Sequence, residues 1–199
     1  MKTIVWDLDD VLNDLTRHWF ECWWLPSHPD CPLKYQDLVQ NPPNSLLGIE
    51  KAEYLASLDT FRLSDTAGAI TPVPEVARWF SKNGERARHM VLTATPLLSA
   101  SVSANWAVTH FGRWIRSINF VPSFRLGTDL PVYDQTKVDF LHWFGKADLF
   151  VDDNQAYIEE ASKLGIQTVL FPQPWNKSKL SIDDTLLFLE QAAFNEVDS

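Results

Sequence analysis

The chain opens on a short apolar run, Thr3-Ile4-Val5-Trp6, that stops on Asp7-Leu8-Asp9-Asp10. A run so short, rich in β-branched and aromatic residues and cut off by charge, predicts a strand. From about residue 70 onward, short unbroken apolar runs alternate with stretches of helical period. Pro72 and Pro74 suit the opening of a helix over residues 75–83, and Gly84 suits its end. A strand over 89–93 follows, then a helix over 99–111 ended by Gly112, and a short strand over 117–121. Asp134 is a suitable N-cap for a helix over 135–144, closed by Gly145. Next come a strand over 148–151, a helix over 154–164 ending at Gly165, and a strand over 167–171. Residues 183–199 read as a docking helix with an acidic end.

Strand followed by helix, repeated, predicts an α/β fold: a doubly wound, mostly parallel, Rossmann-like sheet with helices on both faces. Ligands of such sheets sit beyond the carboxyl ends of the strands. That edge is where the pattern puts Asp7, Asp9, Thr93, Asp152 and Asp153. Residues 13–69 break the alternation, with helix-like stretches at 14–24 and 50–58 around a proline-rich middle. They predict a small helical cap inserted after the first strand, with residues 1–12 and 70–199 forming the core domain. A lid in that position would exclude water and select the substrate.

Composition narrows the chemistry. The 199 residues are 45% hydrophobic, with 12 Phe and 9 Trp, which supports a packed core and argues against disorder. A net charge of −9 leaves no basic stripe for a nucleic-acid polymer, yet one cation and a few basic side chains can reverse the sign locally for a small phosphorylated partner. Cys22 and Cys31 are too few for a disulfide framework, no apolar run is long enough to span a bilayer, and the N-terminus lacks the order of a signal peptide. A cytoplasmic protein without membrane attachment is the expectation. Cys22, His28 and Cys31 lack the spacing and the fourth ligand of a zinc site.

Two strand ends carry paired carboxylates: Asp7 with Asp9, and Asp152 with Asp153. Like charges that close are costly unless a cation shares the site, and an all-oxygen pocket suits Mg²⁺. In chain order come a strand ending in Asp-x-Asp-x-Val, a strand ending in Thr93, Lys137 at a helix start, and a strand ending in Asp-Asp. This order resembles the four motifs of the haloacid-dehalogenase-like (HAD) hydrolase superfamily, and the insertion resembles its C1 cap. The resemblance implies an aspartyl-phosphate mechanism. Asp7 would be the nucleophile, and Asp9 the general acid and then base, its backbone carbonyl also on Mg²⁺. Thr93 and the Ala94 amide would hold phosphoryl oxygens. Lys137 would neutralise Asp7 and the developing charge, and Asp152 and Asp153 would complete the metal shell, directly or through water. A carboxylate at position 9 favours a phosphatase over a dehalogenase. Asp10 stands where many relatives have Gly.

Within the superfamily, Leu92-Thr93-Ala94-Thr95-Pro96 and Phe171-Pro172-Gln173-Pro174-Trp175-Asn176 resemble 5'(3')-deoxyribonucleotidases and their bacterial relatives. That resemblance implies a nucleoside monophosphate substrate, with Trp19, Phe20 and Trp23 either stacking on the base or forming the cap's own core. A sugar phosphate, or a non-catalytic binding module, are the alternatives. A signalling receiver domain uses similar groups, but there Thr and Lys follow the phosphorylated Asp late in the chain, whereas here Thr93 and Lys137 precede the second acidic pair.

Overall fold

A computed structural model describes residues 1–123, 125 and 131–195; the last four residues of the expected acidic tail lie outside them. Five strands form one all-parallel sheet: β1 (Thr3–Trp6), β2 (Arg88–Thr93), β3 (Ile115–Phe120), β4 (Leu149–Asp152) and β5 (Gln167–Leu170). Their spatial order is β3-β2-β1-β4-β5, so the chain winds outward from β1 on one side and then returns to wind outward on the other. The switch point between β1 and β4 opens a crevice at the carboxyl ends of both strands.

Alternation along each strand feeds two separate cores. Ile4, Trp6, Val91, Leu149 and Val151 face a cluster with Val76, Trp79, Phe80, Phe111, Leu186 and Leu189. These come from α5 (Pro74–Asn83), α6 (Leu97–Phe111) and α9 (Ile182–Phe194). Val5, Met90, Leu92 and Phe150 face the opposite way, onto Phe140, Leu141, Ile158 and Ala161 of α7 (Lys137–Phe144) and α8 (Gln155–Ser162). Burial on both faces is why the central strands β1, β2 and β4 read as apolar runs. The predicted strands and helices are present with ends shifted by a few residues. The largest shift with chemical meaning is at α7: Thr136, not Asp134, is its N-cap, in a reciprocal capping box with Asp139. That start makes Lys137 the first residue of the helix. Gly145 closes it in the left-handed conformation, at φ 62°.

Between β1 and α5 the chain builds α1 (Leu15–Trp19), a π-helical turn (Phe20–Trp24), α2 (Leu25–Ser27), α3 (Lys51–Arg62) and α4 (Asp65–Gly68). This insertion has no strand among its residues and packs on its own aromatic cluster. Its entry and exit are held side by side: Asn13 bridges to Pro72, and the Val73 N–H donates to the Leu12 carbonyl at 3.0 Å. Among the described residues no helix is long and apolar enough to cross a membrane.

Candidate active site

The parallel register brings the motif residues to one edge. Trp6 pairs with Val91 and with Val151, so Asp7, Thr93 and Asp152 end neighbouring strands together. The Asp7 N–H continues the ladder by donating to the Val151 carbonyl at 2.9 Å. Lys137, at the start of α7, places Nζ 2.7 Å from Asp7 Oδ1 and 2.7 Å from Asp152 Oδ2. The other oxygen of Asp152 accepts from the Asn154 N–H at 2.8 Å, and Asn154 in turn caps α8.

Asp7, Asp152 and Asp153 are buried, and each can offer a carboxylate oxygen within 4.8 Å of the others. Burial pushes the Asp7 carboxyl up to about 7, against the pull of Lys137 and with further push from Asp152. Burial also drives Asp153 well above the usual carboxylate range, reinforced by Asp152, Asp7 and Asp10. Burial alone would lower the Lys137 ammonium, but Asp152 and Asp7 outweigh it and hold the group firmly charged. With all three carboxyls ionised, one ammonium would leave an excess of two negative charges, which an oxygen-liking divalent ion would balance. This donor set fits Mg²⁺. It is also the one cluster of potential metal ligands among the described residues: Cys22 is exposed and His28 stacks on Trp24, with ring centroids 3.6 Å apart.

Asp10 occupies a left-handed backbone position, φ 63°, which explains why Gly suits that site and why Asp is tolerated. Its carboxylate accepts from the Thr16 N–H at 2.8 Å and the Thr16 hydroxyl at 2.5 Å, so it ties the turn to the start of α1. Burial pushes this carboxyl up to about 8. Thr93 is buried and its hydroxyl is 2.9 Å from that of Thr95; α6 begins just beyond, with its positive N-terminal end at the same edge of the sheet.

Asp9 is partly exposed and is held from the insertion. Arg62, the last residue of α3, donates from Nη2 to Asp9 Oδ2 at 2.8 Å and from Nη1 to Asp59 Oδ1 at 3.1 Å. Asp59 is also gripped by Arg125, at 2.6 and 2.9 Å. Nothing in the sequence singles out Arg62, Asp59 and Arg125. Charges on a helix face read as solvated, and nothing local marks partners 53 and 66 residues apart.

Of the two readings of the cap aromatics, the packing matches the one in which they form the insertion's own core. Trp19 and Phe20 have no exposed surface and form the centre of the insertion's core, where they cannot stack on a ligand in this structure. Trp23 is half-buried and packs on Phe61 at 5.9 Å. The helical spacing of these rings serves packing.

No protein-family model and no curated sequence matches the chain. Solved structures do. A hydrolase of the haloacid dehalogenase-like family from Streptococcus pneumoniae superposes with a TM-score of 0.58 at 11% identity, over 94% of this chain and 90% of the other. The chain has the haloacid-dehalogenase-like fold. A HAD-superfamily hydrolase of subfamily IA from Geobacter sulfurreducens matches with a TM-score of 0.55 at 13% identity, covering 95% and 96% of the two chains. CbbY from Rhodobacter sphaeroides, in complex with xylulose-1,5-bisphosphate, matches at 0.52 and 15% identity over 92% and 90%.

Proposed function

We propose that this HAD-fold protein is a Mg²⁺-dependent phosphomonoester hydrolase that works through an aspartyl-phosphate. The observation that carries the reading is the buried set Asp7, Lys137, Asp152 and Asp153 on the carboxyl edge of the sheet at its switch point. Asp7 attacks phosphorus, and the P–O bond to the leaving group breaks as Asp9 supplies its proton. Asp9 then takes a proton from water, the water attacks the phosphorylated Asp7, and inorganic phosphate leaves. Lys137 and the Thr93 hydroxyl, with the Ala94 amide, stabilise the phosphoryl oxygens. Asp7, Asp152 and Asp153, with the Asp9 carbonyl, would hold the metal, which supplies charge neutralisation at the phosphoryl group. The helical insertion, residues 13–69, acts as the cap.

The leaving group is assigned to a cavity of about 1220 Å³ between α3 and the loops after β2 and β3. Its walls include Leu55, Leu63, Thr95, Leu98, Phe120 and Val121, and Thr95 is the neighbour of the phosphate-binding Thr93. A roomy cavity walled largely by apolar side chains suits the π-face of a nucleobase better than the hydroxyls of a bare sugar, so a nucleoside 5'-monophosphate is the favoured substrate. A sugar phosphate is the second reading, favoured by the ligand of the CbbY neighbour. The test is phosphate release from a panel of nucleoside monophosphates and sugar phosphates, with Mg²⁺ or EDTA, beside Asp7→Asn. The expected result is Mg²⁺-dependent turnover that Asp7→Asn abolishes. Folded protein that hydrolyses no phosphomonoester would overturn the reading in favour of a binding module.

A further inference from the structure

The segment that follows β5, Phe171–Asn176, turns its polar side chains onto the acidic motifs. Trp175 donates its indole N–H to Asp153 Oδ2 at 2.6 Å. Asn176 donates from Nδ2 to the backbone carbonyls of Asp153, at 2.8 Å, and Phe171, at 2.7 Å. Gln173 donates to the Asp10 carbonyl at 2.6 Å and accepts from the Tyr35 hydroxyl at 2.6 Å. One short loop thus grips both acidic turns, the one after β1 and the one after β4. It also reaches the insertion, where the ring of Trp175 packs edge-on against Tyr35 with centroids 6.2 Å apart.

A tryptophan N–H is a donor only, and the half-buried Trp175 aims its own at the buried Asp153 at 2.6 Å, a bond that is strongest when that carboxylate is ionised, as a metal ligand must be. Nothing in the packing of an indole against the insertion requires its nitrogen to meet Asp153. With Oδ2 held, the rotation of the Asp153 carboxyl beside Asp7 and Asp152 is fixed. Resting on the metal-site reading above, we propose that Trp175 is a positioning residue: it orients Asp153 as a metal ligand from outside the ligand set. Partners of this kind change metal affinity by about 10–100-fold when removed.

The test is calorimetric titration of Mg²⁺ into substrate-free wild-type protein and Trp175→Phe, with the melting temperature of each in EDTA. Phenylalanine keeps a ring against Tyr35 and removes the donor. The proposal expects Mg²⁺ affinity to fall about 10–100-fold while the metal-free fold is retained. Equal affinity in the two proteins would overturn it and leave the metal site standing. No Mg²⁺ binding by the wild type would remove the metal reading itself, and the proposal with it. If Trp175→Phe does not fold, β-(3-benzothienyl)alanine incorporated at position 175 keeps the shape of the bicyclic ring and replaces N–H by sulfur. The same drop in affinity is then expected, and unchanged affinity again overturns the role.

Discussion

Replacing Lys137 by Met would keep the aliphatic stem and delete the one ammonium among three buried carboxylates. Its side chain is only 3% exposed and bridges Asp7 and Asp152 at 2.7 Å each. Truncating one partner of a buried ion pair costs about 3–5 kcal/mol, because the charges left behind are uncompensated. Here the lower end applies, since Asp7 already sits at about 7 and takes up a proton cheaply once the lysine is gone. At about 2–4 °C per kcal/mol for a chain of this size, metal-free Lys137→Met should melt roughly 6–12 °C below wild type. The pH dependence has a definite sign. The folded Asp7 carboxyl lies above its unfolded value of 3.8, so the folded state binds that proton more tightly and stability is lost as pH rises toward and through 7. Deleting the ammonium raises the carboxyls further, so the deficit of the variant should be larger at about pH 8 than at about pH 6. Thermal melts in EDTA at both pH values would measure this, with phosphate release as a second readout that should fall to background. A shift under about 2 °C at about pH 8, or a deficit that grows on acidification, would refute the electrostatic account.

Two further outcomes follow, one from the core near the amino end of β2 and one from the turn after β1. His89 is buried, with Nδ1 accepting from the Trp6 indole at 3.1 Å and Nε2 donating to the Gly84 carbonyl at 3.1 Å, an arrangement that only the neutral ring satisfies. Burial lowers it from 6.5 to about 4, so stability is lost as pH falls through that window, about 3 kcal/mol in all; His89→Gln should flatten this part of a denaturation-versus-pH curve, and an unchanged slope would count against it. Asp10→Gly should cost about 1 kcal/mol, from the lost bonds to Thr16, and Asp10→Ala about 1 kcal/mol more, from a side chain without polar compensation at φ 63°. Urea denaturation compares them, and an Ala variant as stable as the Gly variant would show that the left-handed turn is not retained.

What the sequence made legible was whatever repeats or sits next to itself. The alternation of strand and helix was readable because the central strands β1, β2 and β4 are buried on both faces and the helices on one. The acidic pairs were readable because they terminate strands, and parallel strands deliver their ends to one edge. Long-range pairing was not. Arg62 looks like any cation ending a surface helix, and only the fold brings it to Asp9. Trp175 lies 22 residues from Asp153, and its indole N–H has no periodicity to betray its target. The aromatic run at 19–24 carried a pattern with two meanings, and packing resolved it, since Trp19 also meets Trp24 and Tyr54 at 5.5 and 5.0 Å. The capping box at Thr136 could have been found from Thr followed three residues later by Asp139, yet Asp134 made an equally plausible start.

The joined stem at Asn13, Pro72 and Val73 has a consequence for how such a chain can change over time. Because the excursion leaves and rejoins the sheet at one spot, its ends remain together whatever lies between them. The entropy of closing a flexible loop grows only slowly with length, by about 0.6 kcal/mol for each doubling. Changing the length of this stretch therefore adds little to the entropy of closing it, while β1 and α5 stay joined at the stem. Such an attachment lets substrate preference drift while the chemistry at the strand ends stays put.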